Sequence, residues 1–176
     1  MRGTILGIVA LGLLTLANVI LAFAYYASLP DRVVSEFDAA GVAVGSQSKV
    51  ALFLTHLGVV LGVAFGLVPL LYALLRFCPA WMIDLPHKDY WLAEPRQRQT
   101  RRTAFCYVLW MMDFTLAFLA ALFWLTYRAN LAETPRLGGG FWFCLAAFLI
   151  AMAAWVVRLY WRFRIPREDS PSELEQ

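Results

Sequence analysis

Four stretches of this chain are each apolar over twenty or more residues. They run from about Ile5 to Ala27, Val50 to Phe77, Ala104 to Tyr127 and Gly139 to Trp161. About 20 mostly apolar residues are needed for a helix to span the hydrocarbon core. In that core every backbone N–H and C=O must be satisfied within the segment, which leaves the helix as the form such stretches take. Composition agrees: 61% of the 176 residues are hydrophobic and only 15% are charged. A soluble domain is roughly 45–50% apolar and about 25% charged. Soluble globules, disordered chains, collagen and disulfide scaffolds are excluded. The expected fold class is an all-α integral membrane protein, a four-transmembrane-helix bundle with a short structured outer loop. Residues 1–165 form one membrane domain, and 166–176 form a disordered cytoplasmic tail.

The first stretch follows Arg2, and Ala22-Phe23-Ala24 resembles a cleavage site. Signal-peptide cores run about 7–15 residues, and this stretch is longer, so a retained helix is expected. Charge sets the orientation. Eleven Lys and Arg fall before the first span, between the second and third, and after the fourth. Four fall in the other two loops. Cationic residues stay on the cytoplasmic side, so both termini and the middle loop are expected there. The net charge of +3 then reflects topology and lipid phosphates, with no support for nucleic-acid binding. Tyr25, Tyr26, Trp124, Tyr127 and Trp142 are expected at the outer interface. Trp81, Trp91, Tyr107, Tyr160 and Trp161 are expected at the inner one.

Cys78, Cys106 and Cys144 lie in or beside apolar stretches, without a CxxC pair or a neighbouring His. They supply neither a disulfide framework nor a zinc site, and no metal or other cofactor is expected. The second span carries Gly58, Gly62 and Gly66 at a spacing of four, which predicts a seam for close helix packing. The alternative is a groove for a lipid tail. Pro69 in the same span removes a backbone donor and should kink it. Ala117, Ala121, Ala147, Ala151 and Ala154 in the third and fourth spans are candidates to face that seam.

Asp113 is the only acidic residue within a span. An intramembrane carboxylate is costly, and it marks a functional-site hypothesis. Helical rise places Thr15 near its depth, with Asn18 and His56 together at a level nearer the outside. An Asn18–His56 hydrogen bond is expected. Two readings stay open for Asp113, His56, Asn18 and Thr15: a polar relay or ligand site, or hydrogen-bonding glue between helices.

Two loops have sequence character. The outer one reads LPDRVVSEFDAAG from Leu29 to Gly41 and ends in Ser48-Lys49. Pro30 breaks the helix and Gly41 supplies a turn. Phe37 between Glu36 and Asp38 predicts a structured lid with its aromatic ring inserted toward the bundle. The inner loop includes LPHKDYWLAEPRQR from Leu85 to Arg98. Pro86 and Pro95 punctuate it. Tyr90, Trp91 and Leu92 suit the interface while the arginines meet phosphates. His87, Lys88 and Asp89 lack a neighbouring nucleophile or metal cage.

These motifs, with YRANLAETPRL before the fourth span, resemble the signatures of a bacterial membrane family, domain-of-unknown-function family 1648. The family also forms the front part of SdpI-type immunity proteins, which protect against a sporulation-delaying toxin. This chain differs from the family pattern at Glu36, where His is common, and at Val34 and Ser46. The resemblance implies a non-enzymatic protein of the bacterial inner membrane that senses, or gives immunity to, a membrane-active agent. One alternative is an accessory or structural subunit of a larger membrane complex. Another is a small transporter or a lipid- or quinone-handling protein. No catalytic motif or internal duplication favours the last. The expected partners are membrane lipids and either further copies of the chain or a larger complex.

Overall fold

The computed structural model describes residues 2–83 and 85–164. The tail expected at 166–176 lies outside the described residues. Four helices are long and apolar enough to cross a membrane. Helix α1 is Arg2–Tyr26. Strands β1 (Arg32–Phe37) and β2 (Ala43–Ser48) follow as an antiparallel hairpin. The second span comprises α2 (Lys49–Leu61), a π-helical turn (Gly62–Leu67) and α3 (Val68–Phe77). A one-turn helix α4 (Lys88–Trp91) precedes α5 (Glu94–Asn130) and α6 (Gly140–Arg162). The chain is thus a multi-pass membrane protein, and its mainly helical fold is completed by a β-hairpin where the sequence predicts a lid.

Helix boundaries follow local chemistry. Ser48 caps α2, its hydroxyl accepting from the Ala51 N–H at 3.1 Å. Pro95 falls in the first turn of α5, where a missing N–H costs nothing. Pro69 sits just inside α3, and the turn before it is widened: the Val68 N–H donates five residues back, to Val63 O. Where the sequence predicts a kink, the span carries a π turn, one of the few recurrent ways a helix absorbs such a defect. At 37 residues, α5 is roughly 55 Å long. It outruns a hydrocarbon core of about 30 Å, which leaves room for its arginine-rich first turns at the headgroup level.

Helix α5 is the centre of the bundle. It packs along α1, α3 and α6. Leu109 and Leu116 on α5 are fully enclosed. Helix α6 touches the rest mainly through α5, with Phe118 stacked on Phe148 at 4.5 Å and the Trp155 indole N–H donating to Tyr107 O at 3.0 Å. No residue of α6 between Gly140 and Arg162 is fully buried.

The close helix approach is not where the sequence predicts it. Around Gly58, Gly62 and Gly66 nothing lies within 4 Å of a would-be Cβ. All three face outward, away from the α5 side of the bundle, so no span of this chain fills that seam. Of the candidate alanines, Ala117, Ala147 and Ala154 are exposed, and Ala121 and Ala151 are half-buried. The tight contact is made by α1: a Cβ on Gly7 would lie 2.7 Å from Leu109 Cδ2, and one on Gly3 would lie 3.3 Å from Cys106 Sγ. A spacing of four is necessary for a glycine seam but does not choose its partner.

Candidate functional site

Two features meet at the hairpin end of the bundle, a buried polar chain and a roofed cavity. The polar chain begins on α1. The Asn18 amide donates to Leu14 O at 2.8 Å and across to Leu116 O of α5 at 3.2 Å. That orientation leaves its Oδ1 facing His56 Nε2 at 3.1 Å. His56 Nε2 therefore carries a proton and donates. In the neutral ring Nδ1 is then an acceptor, and the Tyr127 hydroxyl donates to it at 2.8 Å. The tautomer is fixed from both sides. Asn18 and His56 are 0% exposed and Tyr127 is 1% exposed. The imidazole also stacks on Phe123 with ring centroids 3.8 Å apart, and Tyr127 stacks on Tyr25 at 5.4 Å.

The expected Asn18–His56 bond is present. Tyr127 is its unexpected extension: it lies in the core rather than at the membrane surface, where its place near a span end suggests it should be. Thr15 is not part of the chain, because its hydroxyl donates to Leu11 O of its own helix at 2.7 Å. Asp113 is separate as well. Its carboxylate points toward Gly7, two turns before Thr15 on α1, with Oδ2 3.6 Å from a would-be Gly7 Cβ. At 2% exposure, neither oxygen has a hydrogen-bond partner among the described residues. Asp113 therefore meets α1 about two turns below Thr15, at a different level from the Asn18–His56 pair. The structure thus joins Asn18 and His56 and leaves out Thr15 and Asp113.

The hairpin sits on this core. Val33 is the β1 residue that enters it, at 1% exposure beside Leu29, Leu52, Phe123 and Tyr127. Phe37, expected to insert, is half-buried and lines a cavity instead. Asn130, at the end of α5, fastens β1. Its Oδ1 accepts from the Val34 N–H at 2.6 Å and its Nδ2 donates to Val34 O at 2.8 Å. One side-chain amide thus substitutes for a neighbouring strand. Sequence reasoning missed Asn130, although it lies within the YRANLAETPRL motif.

The remaining outer-loop residues are turn formers. Asp38 Oδ1 accepts from the Ala40 and Val42 N–H groups at 2.9 and 2.8 Å. Gly41 has φ +74°, and its O accepts from the Leu137 N–H at 3.0 Å. A Cβ there would overlap the Leu137 carbonyl, so both conformation and space demand glycine. Glu36 pairs with Gly45, and its carboxylate lies across that glycine. Pro30 is exposed between α1 and β1. Beside it, Asp31 forms a 2.8 Å ion pair with Lys49. The hydrogen bond to that ammonium, and then its charge, hold the Asp31 carboxyl below the usual carboxylate range.

Beneath the hairpin lies a cavity of about 350 Å3. Phe37 and Gln47 roof it, Thr55 and Phe123 floor it, and Phe141 and Trp142 wall it. Phe123 also stacks on His56, so the cavity and the polar chain share a side chain.

The inner-loop motif folds against the opposite end. Trp91 does not lie free at an interface: its indole N–H donates to Phe163 O at 2.8 Å, and its own carbonyl accepts from Thr100 at 2.8 Å. Arg96 lies over the Tyr90 ring at 3.9 Å. His87 is exposed with φ 54°, just before α4, and Lys88 is exposed as its first residue. Pro86 and His87 border a shallow groove against Val157 and Tyr160. No group of three His, Cys, Asp or Glu that could hold a metal is found among the described residues.

Residues 13–58 match the family model described as Domain of unknown function (DUF1648). No curated protein and no solved structure matches the chain. The matched stretch, Leu13 to Gly58, carries Asn18, the hairpin and His56.

Proposed function

We propose that the protein is a non-enzymatic component of the bacterial inner membrane that binds a membrane-active agent at its hairpin end. It thereby senses that agent or gives immunity to it. Both termini are cytoplasmic in this reading, because eleven cationic residues fall on that side and four on the other. The observation that carries the reading is the hairpin-roofed cavity of about 350 Å3. Its size suits a small ligand or an inserted aromatic side chain. Its lining of aromatic rings with a few hydroxyl and amide groups suits an amphipathic guest. The buried Asn18–His56–Tyr127 chain beneath it acts as a rigid floor, with every hydrogen-bonding group committed to a neighbour. The likeness of the outer-loop motif to the front part of SdpI-type immunity proteins points the same way.

A deletion strain challenged with membrane-active peptides and toxins tests this. Sensitivity should rise on deletion and be restored by the wild-type chain. It should not be restored by Phe37→Ala with Trp142→Ala at equal membrane abundance. Unchanged sensitivity to every agent, or full protection by the double variant, would sink the proposal. Reporter fusions at Gly45 and Arg98 test the orientation, and a cytoplasmic signal at Gly45 would reverse it.

A second reading is an accessory subunit of a larger membrane complex. It is favoured by the outward glycine face of the second span and by α6, which buries none of its residues fully. Co-purification in mild detergent separates the two. A stoichiometric partner supports the subunit; a lone or self-associated chain supports the receptor.

A further inference from the structure

At the end of the bundle away from the hairpin, α1, α3 and α5 enclose a groove of about 820 Å3. Helix α5 builds its rim from Arg98, Arg101 and Arg102, and Arg76 of α3 completes it. The floor is apolar. Phe105 and Leu109 continue the arginine face of α5 at helical spacing, and Ile8, Leu11 and Val68 oppose them. The groove thus runs from four guanidinium groups into hydrocarbon-like surface along a single direction.

Among the described residues those charges are not balanced from within, since no acidic side chain of theirs lines the groove. The one ion pair among the described residues, Lys49–Asp31, is at the hairpin end. Arg101 uses one nitrogen, Nη1, to donate to Leu75 O at 2.7 Å, which fixes its guanidinium at the C-terminal end of α3. Arg98 and Arg102 have no hydrogen-bond or ion-pair partner among the described residues. Guanidinium is the side-chain group best matched to phosphate oxygens. The groove is also open sideways, since Ile8 and Tyr72 on its edges are 55% and 50% exposed. A guest in the bilayer plane can enter without leaving the membrane.

We infer that this groove holds one anionic phospholipid. Its phosphate lies among Arg98, Arg101, Arg102 and Arg76, and an acyl chain lies along Ile8, Leu11, Val68 and Leu109. Charge complementarity selects the headgroup, and the apolar floor requires the chain. The site is distinct from the hairpin cavity and stands whether or not an agent binds there.

The test is native mass spectrometry of the full chain released from mild detergent, with added phosphatidylglycerol or phosphatidylcholine. One phosphatidylglycerol per chain should be retained on the order of tenfold better than phosphatidylcholine. Arg98→Gln with Arg102→Gln should weaken phosphatidylglycerol binding about twenty-five-fold, a factor of five for each arginine. Ile8→Trp, which fills the exposed mouth of the groove at full charge, should weaken both lipids alike. Arg158→Gln, on α6, should change neither. Inorganic phosphate at millimolar concentration should fail to displace the lipid. Equal retention of the two lipids, displacement by phosphate alone, or an Arg158→Gln loss matching the groove variant would overturn the inference. If the double arginine variant does not elute as a single species, Ile8→Trp decides, and unaltered binding there overturns it.

Discussion

The two ends of this bundle treat polar groups in opposite ways. At the hairpin end they are consumed internally. Asn130 holds Val34, Asp38 holds its own turn, and His56 is bonded on both ring nitrogens. At the arginine end Arg98 and Arg102 face an apolar groove with no acid among the described residues to meet them. A polar group closed by its neighbours builds rigidity, because leaving it unmade is expensive. A charge left open at the edge of a membrane is available to something from outside. The contrast separates a fixed cap from a receptive groove on one short chain.

Five substitutions would break or sharpen that contrast. Gly41→Val should be the most damaging, costing about 3 kcal/mol or more, since it combines left-handed strain with overlap on Leu137. Thermal unfolding in detergent reads it, and a wild-type midpoint would mean that the hairpin is not held by this turn. Asn130→Ala should cost about 2 kcal/mol, because the Val34 N–H and C=O lose their partner. Protease cleavage within 32–48 should rise while the arginine end stays protected. Uniform loss of protection at both ends would show that the ends are not independent. His56→Phe keeps the stack on Phe123 but strands Asn18 Oδ1 and the Tyr127 hydroxyl, at about 1–2 kcal/mol. In that background Tyr127→Phe should cost less than it does alone. Additive effects would mean that the pair is not coupled.

Asp113→Leu is the smallest and carries the opposite sign. The carboxyl is enclosed with no described partner, so removing it should be neutral or stabilise by up to about 1 kcal/mol. A loss above about 2 kcal/mol would show that Asp113 is held by something absent from the bundle alone.

The spans were legible because bilayer thickness demands a run length that few other folds need. The Asn18–His56 bond was legible for a related reason: helical rise turns sequence position into depth. What failed was the choice of partner. Asp113 lies deeper than expected, against Gly7, Thr15 bonds within its own helix, and the Gly58 series has suitable spacing but no opposing helix. Tyr127 looked like an interfacial aromatic because it ends a span; its burial depends on Tyr25 and His56 from two other helices. Asn130 was invisible because its partner is backbone 96 positions away, and backbone carries no sequence signal. The hairpin was hidden by its bulges, since register shifts after Val34 and Glu36 break the alternation that marks a strand.

The widened turn at Gly62–Leu67 has a consequence for how the second span relates the two ends. One additional residue in a regular helix rotates everything after it by about 100°. A π turn swallows such a residue locally. The faces of α2 and α3 therefore stand in the phase of a helix one residue shorter. His56 can be committed to the cap, and Tyr72 and Arg76 to the groove, with the mismatch between their spacings taken up in between. The span works as two phased rods with a joint, so sequence drift on one side need not misalign the other.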